Sequence, residues 1–167
     1  MAYRITDPLL GTQKIADTST VQLHPAGTIV RAVDPTYGAG EFIYLKGVAS
    51  TAVGSLVSYS TSAFTTTLGV TVEKVPRPLA VAMSANVANQ WGWYQIAGVA
   101  VVAKLATTSF AAGAALAIAS TGSGTAIATA SGNEVQGAMV AVVASAATGR
   151  TSVQVVLNRP ALMGRIT

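Results

Sequence analysis

The sequence predicts an all-β fold, in the form of a single sandwich, barrel or tulip-like domain with an extended N-terminal arm and a C-terminal tail. Short runs of β-branched residues recur between about residue 27 and residue 158, separated by Gly, Ser, Thr, Asn and Pro at intervals typical of sandwiches and barrels. Several runs alternate polar and apolar residues, as in Ser152-Val153-Gln154-Val155, which gives a strand one core face and one wet face. Apolar residues at helical spacing are scarce.

The candidate strands follow one another along the chain, each bounded by turn-forming residues. They are Thr28–Val33, Glu41–Val48, Ser55–Ser60, Gly69–Val75, Leu79–Ser84, Trp93–Ile96, Val99–Lys104, Ala115–Ala119, Thr125–Thr129, Gly137–Ala144 and Ser152–Leu157. Ala has the highest intrinsic helix propensity, so the alanine-rich stretch Ala111–Ala119 is the one place where we also allow a helix.

The two ends of the chain differ from this β-rich body, which we place at residues 23–158. Residues 1–22 have no sustained periodicity and contain Asp7-Pro8, Leu9-Leu10 and a short polar run. We expect them to form an arm that becomes ordered when it lies across a neighbouring subunit. Residues 159–167 have the same character and form the predicted tail. Frayed termini without a function are the alternative for both segments.

The chain is poor in charge. Its 167 residues are 51% hydrophobic and only 10% charged, compared with roughly 25% charged residues in an average soluble protein. Such a surface suits a subunit that is covered by neighbours, although an alanine-rich protein with thin strands would share this composition. The net charge of +4 reflects scarce acidic residues, and the basic residues are spread along the chain. We therefore expect no specific nucleic-acid partner.

The sequence contains no catalytic, cofactor-binding or metal-binding constellation, and we predict that the protein is not an enzyme. There is no cysteine, a single histidine (His24) and no Gly-x-Ser-x-Gly motif. The six acidic residues are Asp7, Asp17, Asp34, Glu41, Glu73 and Glu134, and no two of them form a close pair in sequence. The two Gly-x-Gly sites lack the third glycine of a phosphate-binding loop, so we interpret them as turns.

No segment of the sequence predicts a membrane partner. A span needs about 18 to 20 uninterrupted apolar residues. The segment Ile96–Ala119 is interrupted by Lys104, and Val135–Ala147 is too short. The first residues also lack the apolar core of a secretory signal, so we expect the protein to be made and folded in the cytoplasm.

The aromatic cluster Trp91-Gly92-Trp93-Tyr94 holds both tryptophans of the chain within three residues. Strand alternation sends Trp91 and Trp93 to the same side of a strand. Buried, the pair would be the heaviest part of the core; exposed, it would anchor a subunit contact or stack against a sugar ring.

Four stretches resemble the head decoration proteins, or capsid cement proteins, of tailed bacteriophages. They are Gly27–Ala49, Gly54–Tyr59, Ala80–Gly98 with its Gly-Trp-Tyr-Gln-Ile core, and Ala112–Leu116. Proteins of this kind are typically β-rich barrel or tulip-like modules, often trimeric, on the outside of the capsid.

The resemblance implies a mechanical role, in which the chain binds the major capsid protein and copies of itself, as a homotrimer or a dimer, on the capsid surface of the virion. No active site is carried over. The predicted interface residues lie in the arm, the aromatic cluster and the tail: Tyr3, Arg4, Ile5, Leu9, Leu10, Trp91, Trp93, Tyr94, Arg159, Leu162, Met163 and Arg165. One alternative is a carbohydrate- or receptor-binding β-module of the virion that uses the aromatic cluster. Another is a tail or head-completion subunit.

Overall fold

The computed structural model describes residues 4–5, 12–69, 76–85, 88–120, 122–129, 134–146 and 151–162. The predicted all-β fold is confirmed, since these ranges contain strands and turns but no helix. The strands are β1 (Arg4–Ile5), β2 (Thr18–Ser19), β3 (Ile29–Asp34), β4 (Gly38–Lys46), β5 (Leu56–Tyr59), β6 (Thr66–Leu68), β7 (Arg77–Ala82), β8 (Trp91–Lys104), β9 (Leu116–Ile118), β10 (Ala126–Ala128), β11 (Val135–Val140) and β12 (Thr151–Leu162). Within the same ranges no helix is therefore available to span a bilayer.

Strand pairing is antiparallel almost throughout. The main order is β1-β3-β4-β8-β12-β7-β5-β6, and β11 lies beside β12. Strand β2 pairs with the start of β8, while β10 joins β9 to the end of β8 through one parallel bridge. Strands β1 and β6 lie at opposite ends of the order and are not paired with each other in the described part of the chain. The sheet is thus not closed into a barrel, and its layers are consistent with the predicted sandwich.

Strand β8 belongs to two layers of the structure. Its first half pairs with β4 on one side and β7 on the other, whereas its second half pairs with β12. A bulge separates the halves, because Phe42 lies opposite Gln95 while the adjacent Glu41 lies opposite Ala97. A strand that bends at a bulge can pass from one sheet to another, as β8 does here.

Two local features hold this bulge in place, a glycine and a side-chain amide. Gly98 has a φ of +93°, and a Cβ atom at that position would lie 2.3 Å from the carbonyl oxygen of Ala39. The side-chain amide of Gln95 donates hydrogen bonds of 3.1 Å and 3.0 Å to the carbonyl oxygens of Ala97 and Val99. The bend is therefore encoded locally, by a glycine that allows close approach and a buried amide that binds two carbonyl oxygens.

The buried apolar residues form three clusters, which follow the layers. The largest lies among β5, β7, the second half of β8, β9 to β12, and includes Leu56, Val81, Val102, Leu116, Ile118, Val153, Val155 and Leu162. A second cluster contains Ile15, Val30, Ala32, Phe42, Tyr44, Met83 and Trp93. A third contains Ile43, Leu45, Val57, Ala80, Ala82, Tyr94 and Ile96. Strand β8 contributes to all three clusters, so it is the centre of the fold.

Two predicted elements differ in the structure, and a third lies mostly outside the described residues. The predicted strands Trp93–Ile96 and Val99–Lys104 are one strand, since the bulge absorbs the break at Gly98. Ala111–Ala119 forms a turn and then β9, because burial of Leu116 and Ile118 and pairing with β10 outweigh alanine's helix propensity. The predicted strand Gly69–Val75 falls mostly outside the described residues, and β6 ends just before it.

Parts of both predicted terminal segments contact the body of the fold. Strand β1 pairs with β3, β2 pairs with β8, and Gln13 and Ile15 are buried. At the other end, β12 continues through Arg159 to Leu162. The expected contact of the arm and the tail with a neighbouring subunit stays a prediction.

Candidate interaction surface

One side of the sheet formed by β8, β11 and β12 has no layer of the described chain covering it. Along the second half of β8, Ala100 and Val102 are fully buried, so alternation turns Ala97, Val99 and Val101 to the opposite side. Their direct partners on β12 are Asn158, Val156 and Gln154, and Met139 of β11 lies opposite Val156. We call these seven residues the outer face.

The outer face carries no charge. Residues 97–103, 135–140 and 151–158 contain no Lys, Arg, Asp or Glu. Met139 is 48% exposed and Val156 is 38% exposed, although both are large apolar side chains. An uncharged centre with exposed apolar side chains is typical of a surface that another protein covers.

Shallow depressions border this face. One of about 190 Å³ is lined by Tyr37, Val101, Val142, Val143 and Gln154, among others. A second of about 230 Å³ lies between Val53, Val101 and Ser152. Val142 and Val143 are themselves exposed, at 52% and 66%. The apolar surface thus continues past the strands onto the loops around them, and its relief offers grooves for side chains of a partner.

A group of three charged residues lies at one end of the outer face, in a groove of about 430 Å³. Glu41 accepts a hydrogen bond from Arg31 Nε on Oε1 at 3.3 Å and one from Arg159 Nη2 on Oε2 at 2.8 Å. We call these three residues the charged corner. Both arginine side chains are well exposed, so the ion pairs contribute little to stability. The formal charges of these three residues sum to +1.

The backbone around the groove is constrained. Arg159 has a φ of +47°, a left-handed conformation that is uncommon for a residue with a side chain. Gly40 and Gly98 line the same groove, and neither places a side chain in it. The left-handed backbone at Arg159 determines where its side chain leaves the strand. The two glycines leave the floor of the groove open.

The aromatic cluster lies in the core. Trp93 and Tyr94 are fully buried, whereas Trp91 is partly buried and stacks on Tyr44 with ring centroids 5.7 Å apart. Trp91 and Trp93 both pack against Tyr44, as expected from alternation along the strand. A sugar platform needs exposed ring faces, and within this cluster only Trp91 retains partial exposure.

Hydrogen bonds tie the N-terminal segment to these aromatic rings. The indole N–H of Trp93 donates to the carbonyl oxygen of Gln13 at 3.1 Å, and the Tyr44 hydroxyl donates to Gln13 Oε1 at 3.2 Å. The backbone N–H of Leu23 donates to the same hydroxyl at 3.3 Å. Burial raises the pKa of Tyr44, and the hydrogen bond from Leu23 opposes this shift.

His24 is part of this network. Its Nε2 accepts a hydrogen bond from the backbone N–H of Gln13 at 3.3 Å, and its ring lies 5.1 Å from that of Tyr44. The described residues contain no group of three His, Cys, Asp or Glu side chains that could hold a metal ion. His24 therefore has a structural partner on each side, and its position is explained by packing.

The other predicted interface residues are dispersed. Leu162 is buried in the largest core cluster, and Arg159 belongs to the charged corner. Arg4 and Ile5 form β1. Tyr3, Leu9, Leu10, Met163 and Arg165 lie outside the residues whose side chains the structure describes.

Sequence reasoning missed the residues that make up most of the surface, including Arg31, Glu41, Met139 and Val156. Of these, only Val156 could have been identified from the sequence as an exposed apolar residue. It is an apolar residue at a position of β12 that shares a face with the polar residues Gln154 and Asn158.

No family model matches the sequence, and no curated protein is similar to it. Among solved structures, the crystal structure of the N base of head fiber gp8.5 in bacteriophage phi29 is similar to this chain. The two share 15% sequence identity with a TM-score of 0.49, over 75% of this chain and 97% of that chain.

Proposed function

We propose that this chain is a structural protein of a bacteriophage particle, which decorates the outside of the head and stabilises the expanded shell by binding the major capsid protein. The observation that carries the proposal is the uncharged outer face of β8, β11 and β12, with Met139 and Val156 exposed in one cross-strand row. The resemblance of the four stretches between Gly27 and Leu116 to head decoration proteins supports the choice of partner.

A free monomer with so few charges and an uncharged face that exposes apolar side chains tends to associate, because burying apolar surface releases free energy of roughly 25 cal/mol per Å². On a capsid the same face is repeated at every equivalent position of the lattice. Many modest contacts then act together, which gives stable attachment without a single strong interface.

Self-association is the second part of the proposal. We expect a homotrimer, or a dimer, at each attachment point, because closed symmetry covers apolar surface with the fewest kinds of contact. The alternative is a tail or head-completion subunit, which a similar surface would also serve. Copy number separates the two, since a head decoration protein is present at a multiple set by the capsid lattice and a tail or completion subunit at a few copies.

The experiment uses particles that lack this chain, to which purified protein is added. Wild type is expected to sediment with the heads and to saturate at a lattice-limited number of copies. Val156→Asp places a charge at the centre of the outer face and should lose binding, whereas Val21→Asp changes an exposed valine elsewhere and should bind as wild type. The proposal fails if wild type does not sediment with the heads, or if Val156→Asp binds unchanged.

A further inference from the structure

We infer that Met139 is a site of oxidative modification, at which a peroxide converts the thioether to a sulfoxide and thereby weakens attachment of the chain through its outer face. The inference rests on the proposed function, to which it adds a chemical means of control. Met139 is 48% exposed on an uncharged surface, so its side chain is open to a dissolved oxidant in the free chain and covered in the assembled particle.

Methionine is the source of all the sulfur in this protein, because the chain has four methionines and no cysteine. Met83 belongs to the second core cluster and is only 5% exposed. Met1 and Met163 lie outside the described residues. Oxidation of methionine is favoured by access to solvent. Among the described residues, Met139 is therefore the methionine that a dissolved oxidant reaches first.

The surroundings of Met139 are apolar. It lies in a cross-strand row that continues through Val156 of β12 to Val99 of β8. Side chains directly opposite each other in an antiparallel pair are close neighbours, with Cβ atoms about 4.5 to 5.5 Å apart. Met139 belongs to none of the three core clusters of the described residues. A change at its sulfur atom thus alters the outer face and leaves the packing of the core as it is.

The modification is a transfer of one oxygen atom with two electrons. A lone pair on Met139 Sδ attacks one oxygen of hydrogen peroxide, the O–O bond breaks, and hydroxide is released. The new S–OH group gives its proton to this hydroxide, which leaves as water. The thioether is oxidised and the peroxide is reduced. The product is a sulfoxide, which is polar and chiral where the thioether was apolar.

The sulfoxide opposes burial of the outer face. Its oxygen accepts hydrogen bonds from water in the free chain, and covering the face removes that water. The neighbouring side chains of Val156 and Val99 have no donor to replace it. An acceptor buried without a donor costs enough free energy to weaken binding about tenfold. Because attachment combines many equivalent contacts on the lattice, a loss at each of them reduces the occupancy of the whole particle.

The test treats the purified full chain with hydrogen peroxide, removes the peroxide, and measures binding to particles that lack this chain. Each protein is compared with itself before treatment. Mass spectrometry of wild type is expected to show one added oxygen on the peptide that contains Met139, before any is found on Met83. The treated wild type should bind about tenfold more weakly. Its circular dichroism spectrum should stay that of the untreated protein.

Two variants and a rescue assign the effect to one sulfur atom. Met139→Leu has no sulfur at this position, so treatment should leave its affinity at the starting value, whatever that value is. Met163→Leu keeps Met139 and should lose affinity on treatment as wild type does. Methionine sulfoxide reductases for both epimers, supplied with a dithiol, should restore the binding of treated wild type. In that reaction the sulfoxide oxygen leaves as water and the dithiol becomes a disulfide.

Loss of affinity in treated wild type, an unchanged affinity in treated Met139→Leu and recovery with the reductases support the inference. Unchanged binding of a wild-type chain that carries the sulfoxide at Met139 overturns it and leaves the proposed function intact. An equal loss in treated Met139→Leu also overturns it, since the effect then lies at another residue. So does a loss of the folded spectrum on treatment, because the effect is then unfolding. If untreated wild type does not bind the particles, the proposed function fails, and the inference with it.

Discussion

The indole N–H of Trp93 donates a hydrogen bond of 3.1 Å to the backbone carbonyl of Gln13, eighty residues earlier in the chain. Both residues are buried, so this contact fixes the N-terminal segment on the second core cluster. Trp93→Phe removes the donor and part of the ring volume, and we expect it to lower the free energy of unfolding by about 2 kcal/mol. Chemical denaturation measures the change. Trp91→Phe is the control and should cost less than about 1 kcal/mol, because Trp91 is only partly buried. Equal losses in the two variants would contradict this account.

Stability at alkaline pH should depend on Tyr44. Its pKa is raised by burial above the ordinary value of 10.0, so the folded state keeps the phenol neutral where the unfolded chain ionises it. The corresponding stabilisation is fully present below the ordinary pKa and is lost as the pH rises through the raised pKa. Denaturation measured from neutral to alkaline pH should therefore show a decline above a pH of about 10.

The matched variant for this pH dependence is Tyr44→Phe. It loses the hydrogen bonds to Gln13 and Leu23 and should be less stable at neutral pH by about 1 to 2 kcal/mol. Its alkaline decline should be shallower than that of wild type. Burial also raises the pKa of Tyr59, opposed by the charge of Arg159, so part of the decline should remain. Parallel pH profiles for the two proteins would exclude Tyr44 as the cause.

Lys104 is a buried cation that binds backbone carbonyls. Its Nζ donates to the carbonyl oxygens of Leu105, Ala106 and Thr108, the last at 2.6 Å, and only 2% of the residue is exposed. Lys104→Met keeps the volume but removes the donor, and we expect a loss of about 1 to 3 kcal/mol in the free energy of unfolding. The exposed Lys14→Met should stay within about 0.5 kcal/mol of wild type. A neutral or stabilising Lys104→Met would show that the three carbonyls find other donors.

The bulge of β8 should tolerate no side chain at Gly98. A Cβ atom there would meet Ala39 O at 2.3 Å and Gly40 Cα at 3.0 Å, in addition to the strain of a positive φ. We expect Gly98→Ala to cost more than about 3 kcal/mol or to prevent folding. Gly113→Ala separates the two effects, because Gly113 has a φ of +78° and nothing within 4 Å of the added atom. It should cost about 1 kcal/mol. Thermal unfolding of both variants provides the comparison, and similar transition temperatures would refute the clash.

The strand positions followed well from the sequence where one face of a strand is polar. Strand β12 alternates through Ser152, Gln154 and Asn158, and the structure buries the intervening Val153, Val155 and Leu157. In β8 the alternation of polar and apolar residues does not identify the buried face, because residues 97–103 are apolar or glycine on both sides of the strand. Which side of that strand faces outward depends on which layers pack against it, and sequence periodicity carries no information about that choice.

The charged corner could not be predicted from the sequence, for a different reason. Arg159 and Glu41 are separated by 118 positions, and they meet because β4 and β12 both pair with β8 at Ala97. A register of this kind is fixed by long-range pairing and by the bulge, not by local composition. The burial of Trp93 likewise involves its hydrogen bond to Gln13 in the N-terminal segment, a contact that the lack of periodicity in that segment does not predict.

The bend in β8 also determines how a mechanical load would pass through the molecule. Strand β8 runs unbroken from the outer face, past Gly98, to its first half, which carries Trp93. A pull exerted by a neighbour on Val99 or Val101 would be transmitted along covalent bonds into the cluster that anchors the N-terminal segment. We therefore expect the two layers to resist tension together and to unfold together.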